Sequence, residues 1–199
     1  MKYIAIFASG AGSNTEKIIQ HFAMDKSNSA FSVARIVLIL SNKPEAGVLQ
    51  IAAANNIPSL IIEKEKFFRG NSYVDELRAA KIDLIVLAGF LWKIPSLLIN
   101  SFRGKIINIH PALLPAYGGK GMYGKFVHEA VIANKEKESG ISIHFVDDLY
   151  DHGAVIFQAR CPAIESDTVE TLAQRIHLLE QKHFPKVIEK ILSGQGSEE

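Results

Sequence analysis

Short apolar runs separated by segments of helical periodicity set the rhythm of this chain. Tyr3–Phe7, Val33–Leu40, Ser59–Ile62, Leu84–Leu87 and Lys105–Ile109 are rich in Ile, Val and Leu without polar alternation, as in strands covered on both faces. The intervening segments Thr15–Phe22, Ala46–Asn55, Tyr73–Ala80 and Ser96–Phe102 read as helices. This alternation predicts a parallel sheet with right-handed crossovers. The pattern then changes. Ile141–Val146 and Ala154–Ala159 are separated by only seven residues, too few for a crossover helix, so they must pair antiparallel. A final helix is expected over Val169–Leu192, with Leu172, Ile176, Leu179, Val187, Ile188 and Ile191 near helical spacing and a kink at Pro185. The expected fold is α/β: a doubly wound, mostly parallel, twisted sheet of about seven strands with an antiparallel edge strand and helices on both faces.

Composition narrows this picture. The 199 residues suit one domain, placed at 1–192, and the polar, Gly/Ser-rich residues 193–199 read as a flexible tail. A formal net charge of +1 without a Lys/Arg tract gives no electrostatic footprint for nucleic acid or an anionic membrane. The single Cys161 excludes an internal disulfide and suits a reducing compartment. The N-terminal residues read as a first strand and not as a signal peptide, and no apolar run approaches the ~18 residues needed to span a bilayer. A soluble, cytoplasmic protein is expected.

Candidate chemistry concentrates in Ile107-Asn108-Ile109-His110-Pro111-Ala112-Leu113-Leu114-Pro115. Side chains along a strand alternate, so Asn108 and His110 point to one side, and the prolines force the chain out of the sheet directly afterwards. A hydrogen-bond donor and a titratable base are thereby fixed at the carboxyl end of a buried strand, where open α/β sheets place their chemistry. A second feature, Ser9-Gly10-Ala11-Gly12-Ser13-Asn14, joins the first strand to the first helix. Glycines permit close backbone approach, and a helix N-terminus offers free N–H groups, which favours an anion such as a sugar phosphate. A tight turn capped by Ser13 or Asn14 would use the same residues. Thr15 stands where a dinucleotide fingerprint needs its third glycine, and no Gly-Lys-Ser/Thr follows. Asp147, Asp148, Asp151 and His152 form a polar cluster between the two antiparallel strands. A carboxylate beside His110 would orient it for acid–base work, although acids in a turn are more often solvated. His144 lies within a strand and reads as structural or supporting. The histidine and cysteine spacings match no metal-ligand pattern, so no metal is expected.

These residues together resemble the phosphoribosylglycinamide formyltransferases, within the formyl-folate transferase superfamily. The likeness runs from Phe7-Ala8-Ser9-Gly10-Ala11-Gly12-Ser13-Asn14 to about Glu189, through Ser41-Asn42-Lys43, Val86-Leu87-Ala88-Gly89-Phe90, the Asn108–Pro115 motif and Ser142-Ile143-His144-Phe145-Val146. The Asn-x-His-Pro motif is shared across the superfamily, and the glycine loop narrows it. The resemblance implies Asn108, His110 and Asp151 as the catalytic trio. Gly12, Ser13 and Asn14 would hold the ribose phosphate of glycinamide ribonucleotide, and His177 and Glu180 would meet the same substrate. The formyl donor, 10-formyltetrahydrofolate, would contact Arg69, Leu91, Trp92, Lys93, Ile94, Asn108 and the segment Asp147, Asp148, Leu149, Tyr150, Asp151. The resemblance places the phosphate site in the N-terminal half and the folate and catalytic sites in the C-terminal half. It implies small-molecule substrates, no nucleic-acid or membrane partner, and a monomer or weak homodimer. Three positions depart from the common family pattern: Trp92 for Arg, His177 for Gln, and His152-Gly153 for a Gly-Gly pair. The glycine-rich Gly118–Gly124 stretch reads as a mobile flap. A formyltetrahydrofolate hydrolase and a non-catalytic folate or sugar-phosphate binder are the alternatives.

Overall fold

The computed structural model describes residues 1–24 and 33–194. The expected tail therefore lies, for residues 195–199, outside the described residues. Seven strands among the described residues, β1 (Lys2–Phe7), β2 (Ala34–Ser41), β3 (Ser59–Ile61), β4 (Leu84–Leu87), β5 (Ile106–His110), β6 (Glu138–Phe145) and β7 (Val155–Pro162), form one sheet ordered β3-β2-β1-β4-β5-β6-β7. Strands β1 to β5 pair parallel, and β6 pairs antiparallel with both β5 and β7. The antiparallel edge is thus a two-strand unit: β6 runs against the sheet and β7 turns back outside it.

Helices α1 (Ser13–Met24), α2 (Gly47–Ala54), α3 (Lys64–Arg69), α4 (Val74–Ala79), α5 (Ser96–Ser101), α6 (Lys125–Ala133) and α7 (Val169–Leu192) connect or flank the strands. The apolar pattern anticipates five of these and misses α3 and α6. Helix α3 is short and charged, burying only Phe67. Helix α6 buries Val127, His128 and Val131, but it follows directly on the glycine-rich stretch that masks its start. Helix α7 runs through a buried Pro185 as one element. None of the described helices is long and apolar enough to cross a membrane.

Two buried clusters sandwich the sheet. One packs Ile4, Ile6, Val86, Ile107, Ile109 and Ile143 against α1, α2 and α7. The other packs Phe7, Leu40, Ile85 and Ile106 against α3, α4 and α5, and its buried members include no residue of β6 or β7. Asn108 and His110 share the parity of Ile106 and so face that second, incompletely covered side. The strand order reverses between β1 and β4, where loops leaving the two carboxyl ends create a crevice. Ser9 bridges those loops: its N–H donates to the Gly89 carbonyl (3.1 Å), and its hydroxyl donates to Asn42 Oδ1 (2.6 Å) while accepting from Leu91 N–H (2.9 Å).

The start of α7 is held by Asp167, whose carboxylate is almost fully covered. Both oxygens accept from Arg175 (2.8 and 2.9 Å), and Ile164 N–H (2.9 Å) and the Thr171 hydroxyl (2.8 Å) complete the set. The guanidinium holds this carboxyl far below the usual 3.8. A depressed folded-state pKa contributes stability that is present above the unfolded value and lost as pH falls through the folded one. Asp167→Ala is therefore expected to lower the Tm at pH 7 by about 2–4 °C. The deficit relative to wild type should shrink in acid, and thermal unfolding at pH 7 and pH 3 checks both points.

Candidate active site

The carboxyl end of β5 brings a donor and two imidazoles onto one carboxylate. Asn108 lies opposite Leu87 of β4 on one side and His144 of β6 on the other. Its amide Nδ2 donates to Nε2 of His144 at 3.1 Å and lies 3.5 Å from Oδ1 of Asp151. His144 Nδ1–H is committed to the Phe145 carbonyl (2.8 Å), which leaves Nε2 free to accept. His110 is 3 % exposed. Its Nε2 donates to the Tyr117 carbonyl at 2.7 Å, and its Nδ1 lies 3.5 Å from Asp151 Oδ1. The other Asp151 oxygen accepts from Gly119 N–H at 2.9 Å.

Burial sets the resting charges. Desolvation lowers the His110 pKa below its usual 6.5, outweighing the opposing pull of Asp151 and the Tyr117 carbonyl. The ring is therefore neutral near pH 7, with its Nδ1 lone pair facing the carboxylate. Burial alone would raise the Asp151 pKa, but the His144 and His110 imidazoles, which attract the carboxylate in their protonated forms, and the Gly119 N–H hold it below the usual range. An ionised acid beside a neutral, hydrogen-bonded imidazole is an arrangement ready to stabilise an imidazolium once a proton arrives.

Local structure aims these groups. The segment leaving β5 is fastened to the edge strands: the Ser142 hydroxyl donates to the Ala112 carbonyl (2.7 Å) and accepts from Leu114 N–H (2.9 Å) and Gln158 Nε2 (2.8 Å). Asp151 itself adopts φ +52°, a left-handed conformation that turns its side chain inward. Two residues later, a Cβ on Gly153 would stand 1.9 Å from the Phe145 carbonyl oxygen, so only glycine fits there.

A cleft of about 520 Å³ opens above this cluster. Asn14, His177 and Glu180 line one end, where Glu180 Oε2 accepts from Asn14 Nδ2 (2.9 Å) and His177 Nδ1 (3.2 Å). Hydrogen bonding to Glu180 raises the His177 pKa. Asn14 Oδ1 and His128 Nδ1 are buried in the same region without a partner. Leu91, Trp92, Lys93 and Ile94 line the other end, across from Asp147, Leu149 and Tyr150. Four sequence-nominated residues do not line the cleft. Gly12 (φ +84°) packs so closely on Val48 and Ile51 that a Cβ would lie 2.8 Å away, and it precedes Ser13 at the start of α1. Asp148 accepts from the Ser96 hydroxyl, and the exposed Arg69 pairs with Glu65 (3.3 Å). His144 and His128 were not nominated, yet both line the cleft. The signal for His144 lay in pairing its strand against Asn108, which needs the register. For His128 it was the helix hidden behind the glycines.

A family model described as formyl transferase matches residues 2–188. The chain belongs to the formyl transferase family. A phosphoribosylglycinamide formyltransferase of Vigna unguiculata chloroplasts is 42 % identical over 96 % of this chain, which spans 61 % of that relative's length. The phosphoribosylglycinamide formyltransferase of Bacillus subtilis is 38 % identical, with 96 % of this chain and 95 % of the relative covered. The crystal structure of a Bacillus halodurans phosphoribosylglycinamide formyltransferase superposes with a TM-score of 0.85 at 33 % identity, covering 96 % of each chain.

Within this formyl transferase fold, the three departures noted in the sequence have distinct settings. His152 is exposed and its Nδ1 pairs with Asp147 Oδ2 at 2.8 Å, so the side chain is accommodated outside the cleft while Gly153 keeps the essential close approach. Trp92 stacks among Phe67 (5.9 Å) and Phe68 (5.4 Å), extending an aromatic shelf toward the cleft mouth. His177 takes a hydrogen bond on Nε2 from Gln181 (2.7 Å), which leaves Nδ1–H for Glu180. Among the described residues, no group of His, Cys, Asp and Glu is arranged to hold a metal ion.

Proposed function

We propose that this protein transfers the formyl group of 10-formyltetrahydrofolate to the primary amine of phosphoribosylglycinamide, giving the formylated ribonucleotide and tetrahydrofolate in purine biosynthesis. The convergence of Asn108, His110 and Asp151 beneath a cleft of about 520 Å³ carries this reading. Relatives named phosphoribosylglycinamide formyltransferase, 42 % and 38 % identical over 96 % of this chain, support it.

The chemistry follows from which atoms are free. Nε2–H of His110 is occupied by the Tyr117 carbonyl, so Nδ1 is the working nitrogen. The substrate amine attacks the formyl carbon, and its proton passes, directly or through a water, to that Nδ1. The carbonyl oxygen becomes an oxyanion, to which the Asn108 amide donates. The new imidazolium is stabilised by Asp151 and now carries an Nδ1–H that also faces the oxyanion. As the tetrahedral intermediate collapses, the bond from carbon to folate N10 breaks and N10 takes up the proton from His110. The hydrogen bonds are poised before reaction, so little reorganisation is needed when charge develops.

The two ends of the cleft divide the substrates. Asn14, which lines the cleft, and the adjoining Gly12 and Ser13 at the start of α1 hold the ribose phosphate through backbone N–H groups, and Glu180 with His177 takes the ribose and glycinamide portion. The Leu91–Ile94 segment, between β4 and α5, and the Asp147–Tyr150 loop enclose the folate ring system.

Incubating the purified protein with 10-formyltetrahydrofolate, with and without phosphoribosylglycinamide, tests this reading. Release of tetrahydrofolate that depends on the ribonucleotide, with formylated product, is expected. Release of formate without the ribonucleotide would instead identify a hydrolase, and folate binding without any release a binding protein.

A further inference from the structure

We propose that Tyr117 is a positioning residue for formyl transfer: its tethered side chain holds its own carbonyl on His110 and so fixes which ring nitrogen reacts. The proposal rests on the formyl-transfer reading above for its kinetic consequence, but its structural consequence can be measured without substrate.

Three observations converge on Tyr117. Its carbonyl accepts from His110 Nε2 at 2.7 Å. Its hydroxyl, on the far side of the residue, donates to Glu136 Oε1 (2.7 Å) and accepts from Asn134 Nδ2 (3.0 Å) in the turn that ends α6. Its backbone sits at φ +56°, a left-handed conformation that a bulky L-residue adopts only when its surroundings impose it. Gly118 and Gly119 follow immediately; their own backbone preferences do not demand this turn, and the Gly119 N–H is anchored on Asp151 Oδ2 at 2.9 Å. The Gly119 anchor fixes the inner side of this turn, and the outer tether fixes the Tyr117 side, so that its oxygen stays toward the ring.

That orientation matters because the neutral imidazole has two tautomers. Around His110 stand Asp151 from the loop after β6, His144 on β6, His128 on α6 and Glu180 on α7. With only these neighbours, the favoured neutral tautomer would put its hydrogen on Nδ1, donating to Asp151 at 3.5 Å. Such a ring has no lone pair aimed at the cleft and cannot accept the amine proton. The Tyr117 carbonyl selects the opposite tautomer by binding Nε2–H, and leaves the Nδ1 lone pair beside the carboxylate that will stabilise its protonated form. The same carbonyl keeps Nε2–H satisfied when the ring becomes an imidazolium, so it serves both states of the catalytic cycle.

Tyr117→Phe tests this while keeping the ring, which packs against the buried core. Nitrogen-15 chemical shifts of the His110 imidazole, recorded above the ring's pKa, distinguish the tautomers directly. The Nε2–H form is expected in the wild type, with a substantial Nδ1–H population appearing in Tyr117→Phe. In steady-state assays kcat should fall about tenfold with little change in either KM. Glu136→Ala, which removes one of the hydroxyl's two partners, should move both readouts in the same direction, and the double variant should be no worse than Tyr117→Phe, since both substitutions act through one tether. A tautomer unchanged in Tyr117→Phe, or a changed tautomer with wild-type kcat, overturns the proposal. If the wild-type protein shows no ribonucleotide-dependent turnover at all, the formyl-transfer reading fails, and the nitrogen-15 comparison still decides whether the tether sets the tautomer.

Discussion

Asn108→Ala is expected to lower kcat by about 10²–10³-fold, the cost of removing one donor from a developing oxyanion. The effect should fall on kcat and kcat/KM together, because the hydrogen bond strengthens only as charge builds on the formyl oxygen. In the resting site the Asn108 amide donates to His144 Nε2 and lies near Asp151 Oδ1, so it is oriented before substrate arrives. The substitution also leaves the buried His144 Nε2 without its donor, a loss of stability that thermal unfolding separates from the kinetic effect. Tetrahydrofolate release at saturating concentrations of both substrates measures the outcome. Wild-type kcat in Asn108→Ala would remove the amide from the mechanism and leave the imidazolium as the sole oxyanion donor.

Asp151→Asn should be comparably severe, with kcat reduced by about 10²-fold or more and both KM values little changed. Asparagine can still accept from Gly119 N–H, so the loop keeps its anchor, but the negative charge beside His110 Nδ1 is gone. An imidazolium formed during attack would then lie buried without its counter-ion, which is costly in a site so little exposed to water. Asp147→Asn is the matched control. Its carboxylate lies in the same loop but pairs with His152 at the surface, with side chains 41 % and 66 % exposed. It should retain most of the wild-type kcat. Equal losses in the two variants would show that the loop's total charge, and not one carboxylate, carries the effect.

The reach of the sequence can be judged residue by residue. Alternation of apolar runs and helical segments was enough for the sheet, because buried parallel strands and their crossover helices leave periodicities that depend only on neighbouring residues. The link between Asn108 and His110 was equally legible, since two residues in one strand share a face whatever lies beside it. The family pattern singled out Asp151 among its acidic neighbours, and the fold places that carboxyl, not Asp148, beside both imidazoles.

Tertiary structure decided what depends on partners distant in the chain. His144 joins the site only because β6 pairs antiparallel with β5 in the register that sets it opposite Asn108; a one-residue slip would turn it to the other face. His128 and Glu180 converge from α6 and α7, two helices whose packing no local pattern specifies. The tautomer of His110 is set by a carbonyl seven residues away, held by contacts with Asn134 and Glu136. Periodicity is a local property and is written in the sequence; register, convergence and proton position are long-range properties, and they exist only once the chain has closed on itself.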